Sequence, residues 1–232
     1  NAHSSTMALN AYIVDAVRTP GGKKNGSLST LHTADLGAAV LDRLVEKTGI
    51  PGAEVDDVIF GCVMKVGAQS LNVGRMCVLS SKRLPLTVPA QTVDRQCGSA
   101  QQAIHQAAQA VMSGDQDMVI AGGVEHMSSV PIGADVGPGM PGTPFQSKGI
   151  QQNHGEGIIF NQFTGAELLA KKYNLTRDEL DSFALSSHKK AARAIAEGRF
   201  ERELLRVEAP GKNLLKADEG VRPNASMEAM RK

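Results

Sequence analysis

The chain has 232 residues, long enough to bury a sizeable core, and 25 basic against 24 acidic side chains leave a formal charge of +1. That balance excludes a general binder of nucleic acid or of membrane surfaces, since both need a basic field, and no apolar run approaches the length of a membrane span. Three cysteines without a C-x-x-C pair exclude a disulfide framework, argue against a metal site and point to a reducing, cytoplasmic compartment.

Asn1–Thr6 (NAHSST) precede Met7 and read as a remnant of expression, and no basic region followed by an apolar one marks a secretory leader. Ala11 to Val17 is β-rich and predicts a strand. A helix follows, with Thr33 as N-cap, Leu36, Val40 and Leu44 at i, i+4, i+8, and Gly49 at its C-terminal end. Val55 to Met64 reads as a buried strand, Asn72 to Ser81 as a short helix, and Thr87 to Val93 as an extended segment. The next helix opens at Cys97 in VDRQCGSAQQAIHQAAQAVMSG, with a predicted stripe of Ala100, Ile104, Ala107/Ala108 and Val111 and a cap at Gly114. Met118 to Ala121 is one more short strand, running into Gly122-Gly123. Strands apolar on both faces, alternating with helices, predict an α/β fold with a mainly parallel sheet.

Near Ser128 the character changes. Residues 130–165 are crowded with glycine and proline and lack periodicity, as functional loops do. Helical patterns return at Ala166 to Lys172 and again after Thr176, which forms a capping box with Glu179. This second helix carries Leu180, Phe183, Ala184, Ala191 and Ile195 on one face and His188, Lys189, Lys190 and Arg193 on the other. ASMEAMRK reads as the opening of a last helix.

Cys97 is the residue most suited to chemistry. A thiol at a helix N-terminus faces unpaired N–H groups and the positive end of the dipole, which favour the attacking thiolate. Gly98 and Ser99 leave room for a substrate beside the backbone. Cys62, within an apolar strand, and Cys77, within a short helix, read as structural thiols. His126 follows a strand and a glycine pair, a place where α/β folds often hold ligands, and His188 belongs to a solvated face. Gly133, Gly137 and Gly139 neither follow a strand nor open a helix, so a dinucleotide site is excluded.

Six segments in order, VDAVRTPGGKKNGSL, VIFGCVMKVGAQSLNVGR, VDRQCGSAQQA, AGGVEHMS, NLTRDELDSFALSSHKKAARAIAEGRF and ADEGVRPNASMEAM, resemble the thiolase family of 3-ketoacyl-CoA thiolases and acetyl-CoA acetyltransferases. The resemblance covers essentially everything after Met7 and implies a layered βαβαβ core half over residues 7–128, with an inserted, mostly helical coenzyme A-binding loop domain over 129–232. The family's second core half, with its GHP histidine and CxGGG cysteine, has no counterpart in this sequence.

By resemblance Cys97 accepts the acyl group as a thioester, Arg222 packs on the adenine end of coenzyme A, and Asn161 lies where many members have a pantetheine-side histidine. Glu125, Met127 and Ser128 are implied in the active-site floor, and His126, which does not fall on the family's catalytic histidine, in a structural role. The expected substrates are acyl-CoA and coenzyme A, with no metal and no covalently bound cofactor, in a homo-dimer or homo-tetramer without nucleic-acid or membrane partners. CGSAQQA and NQF lean toward degradative members of fatty acid β-oxidation type, including those that shorten steroid side chains. Because the family's activating histidine is absent, the resemblance also implies a truncated or split polypeptide, inactive in ketoacyl-CoA thiolysis as an isolated chain. The alternative reading is a non-catalytic coenzyme A-binding or oligomerisation fragment; a decarboxylating ketoacyl synthase fits the inserted segment less well. The uncovered face of such a half is expected to be apolar.

Overall fold

The computed structural model describes residues 10–231. The readings of Asn1–Thr6 and of Met7 as the domain start lie outside the described residues. The chain divides into two compact units, one built from the residues up to Asp135 together with Glu201–Glu219, the other from Val136–Phe200 and the residues from Gly220 onward.

In the first unit, α1 (Thr33–Thr48) is followed by β1 (Asp57–Gly61), α2 (Val73–Ser80), β2 (Ala90–Val93), α3 (Ser99–Ser113) and β3 (Val119–Gly123). The three strands form a parallel sheet in the order β2-β1-β3. The central strand β1 is apolar on both faces, and the two faces serve different cores. Val58 and Phe60 join Leu41 of α1 and Val73, Cys77 and Val78 of α2, whereas Ile59 packs on Ala103 and Ala107 of α3. Burying a side chain such as Ile59 contributes roughly 1.5–3 kcal/mol. Helices on both faces explain why the strands read as continuous apolar runs.

Small residues set how close the layers come. A Cβ on Gly61 would stand 2.5 Å from the Ala100 nitrogen, and one on Gly74 would stand 2.6 Å from the Gln91 carbonyl oxygen. Gly49 closes α1 in the left-handed conformation (φ 69°), its N–H donating to the Val45 carbonyl, and Gly114 does the same for α3 (φ 76°). The cap at the start of α1 is His32 rather than Thr33: its ring Nδ1 accepts from the Ala34 N–H, so the helix begins one residue earlier than predicted.

Two sequence expectations are corrected. Ala11 to Val17 forms no strand, and Tyr12, Ile13 and Val14 are 80%, 82% and 66% exposed. β-propensity needs a neighbouring strand to satisfy the backbone, and none of the three strands pairs with this segment. On α3 the buried stripe is Ser99, Ala103 and Ala107, and Ile104 of the predicted stripe is 46% exposed. The close approach allowed by Gly61 selects the small side chains as the contact face and turns the larger ones outward.

Residues 201–219 return to the first unit through a clasp on the loop after Arg18. The Arg18 guanidinium pairs with Glu203 (2.6 Å) and Asp218 (2.8 Å), and Asp218 also accepts the Gly21 N–H (2.6 Å). The neighbouring Glu219 accepts the N–H groups of Lys23 (2.8 Å) and Ser27 (3.1 Å) and the Ser27 hydroxyl (2.8 Å). The Arg18 hydrogen bond holds the Asp218 carboxyl below the usual carboxylate range against the opposing effect of partial burial. Residues 129–135 also belong to this unit, tied through Ser129 to the buried His126 ring (2.7 Å). The unit therefore does not end at Ser128 but takes back two later segments.

The second unit is helical: α4 (Lys148–His154), α5 (Gln162–Lys172), α6 (Arg177–Ala196) and the single turn α7 (Met227–Met230). The capping box at Thr176 is present, with Glu179 reaching back to the Thr176 N–H (2.7 Å). Among the described residues of this unit only Asp181 is buried, and Phe183 of the predicted apolar face is 79% exposed. Within the loop-like stretch 130–165, the sequence signal for α4 was too weak to find. Its only marker is Ser147, whose hydroxyl accepts from the Ile150 N–H as N-cap.

Candidate active site

Cys97 is the one exposed cysteine of the three. It lies just outside α3 rather than in its first turn: the first helical residue is Ser99, and Gly98 occupies the cap position without a side-chain cap. The thiol is carried on a tight turn between β2 and α3. Gly98 N–H donates to the Arg95 carbonyl (3.1 Å) and Ser99 N–H to the Gln96 carbonyl (3.0 Å), two overlapping turns. Gln96, immediately before Cys97, is left-handed with φ 49°, a conformation that a side chain disfavours.

Three neighbours hold that conformation. The Ser99 hydroxyl accepts the Arg95 N–H (2.9 Å) and donates to the Gln96 carbonyl (2.6 Å). Asp94 accepts the Gln96 N–H on one carboxylate oxygen (2.9 Å) and the Lys65 ammonium on the other (2.8 Å). Partial burial pushes the Asp94 carboxyl up, but Lys65 and the Gln96 N–H outweigh it, and the group sits below the usual carboxylate range.

The loop that brings Lys65 is itself fixed from the end of β3. Glu125 accepts the N–H groups of Val63 (2.8 Å) and Met64 (3.3 Å) and the side-chain amide of Gln69 (2.7 Å). Gln69 is completely buried, donates also to the Met64 carbonyl (2.8 Å) and accepts the His126 N–H (2.6 Å). The His126 ring bridges Ser129 and the Leu28 carbonyl (3.0 Å), the structural role expected of it. Since a carbonyl can only accept, Nε2 carries the proton and Nδ1 is the acceptor.

Cys62 and Cys77 are buried, and desolvation pushes each thiol up to about 12, with the Glu125 charge adding to the effect at Cys62. At neutral pH both are protonated, which leaves Cys97 as the accessible thiol. The residues supporting the Cys97 turn that sequence reasoning missed are Asp94, Lys65 and Gln69. Asp94 two residues before Gln96 was a readable signal, because an aspartate often bonds the N–H two positions on. The partnership of Lys65 with Asp94 across 29 residues had none.

The other two residues singled out lie in the second unit. Asn161 is the N-cap of α5, its side-chain oxygen accepting from Phe163 (2.8 Å) and Thr164 (3.3 Å). Arg222 is exposed, and its backbone N–H donates to His188 Nδ1 (3.2 Å), a contact that no spacing announced. Ser186, Lys189, Lys190 and Arg193 line a shallow groove along α6. Among the described residues no group of three or more acidic, histidine or cysteine side chains is arranged to hold a metal, and no helix is long and apolar enough to cross a membrane.

The first unit thus presents an exposed cysteine on a left-handed turn between a strand and a helix of an α/β core. The family is specific. The thiolase N-terminal domain matches residues 11–232, and the chain belongs to the thiolase family. It is 45% identical over 224 residues to a steroid 3-ketoacyl-CoA thiolase of Mycobacterium tuberculosis, covering 95% of this chain and 54% of that protein. It is 38% identical to 3-ketoacyl-CoA thiolases of Saccharophagus degradans, covering 98% of the chain and 57% of the relative, and of Marinobacter nauticus, covering 97% and 57%. The chain spans about half the length of the curated relatives it matches.

Proposed function

We propose that this polypeptide contributes the acyl-accepting part of a thiolase-type acyl-CoA C-acyltransferase. The observation that carries the reading is the exposed Cys97 thiol on its clamped turn in a chain of thiolase family membership. In the degradative direction the Cys97 thiolate adds to the 3-keto carbonyl of a 3-ketoacyl-CoA. The bond between the second and third carbons then breaks, its electron pair taking up a proton to release acetyl-CoA. The acyl group stays on sulfur as a thioester until the thiol of coenzyme A displaces it, returning the cysteine. The named relatives, one a steroid 3-ketoacyl-CoA thiolase, support a coenzyme A-linked 3-ketoacyl substrate.

Residues 129–232 in this reading carry the coenzyme A contacts. The Arg222 guanidinium is suited to stacking on an adenine and meeting phosphate, and Asn161, the N-cap of α5, falls where many family members carry a pantetheine-side histidine. Arg222→Ala is expected to weaken coenzyme A binding about tenfold, measured by calorimetry, as loss of one charge-assisted contact. An unchanged affinity removes Arg222 from the site. Assembly as a homo-oligomer in a cytoplasmic compartment completes the proposal.

The test of the nucleophile is intact mass after incubation with acyl-CoA. One acyl adduct is expected on the chain and none on Cys97→Ser. An adduct that persists in the serine variant overturns Cys97 as acceptor.

A further inference from the structure

Cys97 owes its presentation to Gln96, and Gln96 owes its backbone conformation to groups outside the turn. A non-glycine residue at φ 49° persists only when its surroundings over-determine it. Both backbone groups of Gln96 are taken. The carbonyl accepts from the Ser99 hydroxyl and N–H, which belong to α3 and follow from the helix itself. The N–H has one partner, the Asp94 carboxylate.

Asp94 is fixed in turn. Its second oxygen meets the Lys65 ammonium, and both side chains are about one-third exposed, at 29% and 35%. Lys65 sits on a loop that has little freedom, because Glu125 grips the N–H groups of the two residues before it and buried Gln69 grips the Met64 carbonyl. An unbroken series of polar contacts thus runs from the end of β3, through the loop after β1, to the residue before the thiol.

We infer that Asp94 is the positioning residue for Cys97: anchored by Lys65, it pins the Gln96 N–H and so keeps the left-handed turn that aims the thiol. The inference rests on the reading of Cys97 as the acyl acceptor. Asp94 itself touches no reacting atom in this scheme. Accepting an N–H requires an oxygen but not a charge, whereas the pairing with Lys65 requires the carboxylate. The two tasks can therefore be separated by substitution.

The experiment measures amide hydrogen exchange over residues 94–99, with α1 as the internal control for global folding, and the rate at which Cys97 takes an acyl group from acetyl-CoA. Asp94→Ala is expected to speed exchange at Gln96 about tenfold, the loss of one hydrogen bond to a charged acceptor, and to slow acyl capture by a similar factor. Asp94→Asn, which keeps the acceptor, is expected to stay within about threefold of the parent on both readouts. Adding Gln96→Gly to Asp94→Ala is expected to restore acyl capture, because glycine enters the left-handed region without a Cβ penalty. A merely structural role for Asp94 predicts no such rescue.

Unchanged exchange at residues 94–99 in Asp94→Ala overturns the inference on its own. Faster exchange with acyl capture unchanged also overturns it, since the turn would then not aim the thiol. Faster exchange with no acyl adduct on any variant, the parent included, overturns the reading of Cys97 and the inference with it.

Discussion

Gly61→Ala is expected to destabilise the first unit by about 3 kcal/mol, the upper part of the range for overpacking, read as a lowered urea midpoint. The added methyl would stand 2.5 Å from the Ala100 nitrogen and the Ser99 carbonyl carbon, both backbone atoms that no rotamer change can move aside. Relief requires α3 to slide away from β1, which opens the contact of Ile59 with Ala103 and Ala107. It also carries off the Ser99 hydroxyl, and with it the grip on Arg95 and Gln96. The turn that holds Cys97 should therefore loosen together with the core. The same substitution at Gly165, inside α5 with open space around its missing Cβ, is expected to have the opposite sign, stabilising that helix by about 0.5–1 kcal/mol. If both alanines behave alike, close approach is not what Gly61 provides.

Glu125→Leu is expected to cost about 3 kcal/mol or more, because four donors, the Cys62 thiol among them, lose one shared acceptor. The Val63 and Met64 N–H groups and the Gln69 side chain all end on this carboxylate, and Gln69 is completely buried, so water cannot replace what is lost there. Glu125→Gln retains one oxygen and should cost about half as much. Chemical denaturation of the two variants checks the ranking. A leucine variant within about 1 kcal/mol of the parent would mean that the loop after β1 finds other partners.

The alternation of strands and helices was legible in the sequence wherever an element carries its own signal. β1 declared itself by apolar residues on both faces, α2 by Asn72 and α6 by its capping box. Ala11 to Val17 misled because β-propensity reports fitness for a sheet and not the presence of a neighbour. The stripe on α3 misled for a related reason: periodicity finds the face rich in larger apolar residues, whereas Gly61 selects the face with the smallest ones. At the site, Cys97 was legible from its motif. Its support was mostly not, because Lys65 meets Asp94 only after β1 and β2 have paired, and Gln69 meets Glu125 only after β1 and β3 have.

The clasp between Arg18 and Asp218 joins residues 200 positions apart. During synthesis the sheet of β1, β2 and β3 can assemble once residue 123 has left the ribosome, since all its partners lie within 57–123. The loop of residues 18–27 cannot do the same. Its N–H groups wait for Asp218 and Glu219, which emerge about 95 residues later, roughly 5–20 seconds at ordinary elongation rates. For that interval the nascent chain carries a formed sheet with its first loop unfastened and Leu215 still missing from the core, a stage at which chaperone binding or proteolysis would find its opening.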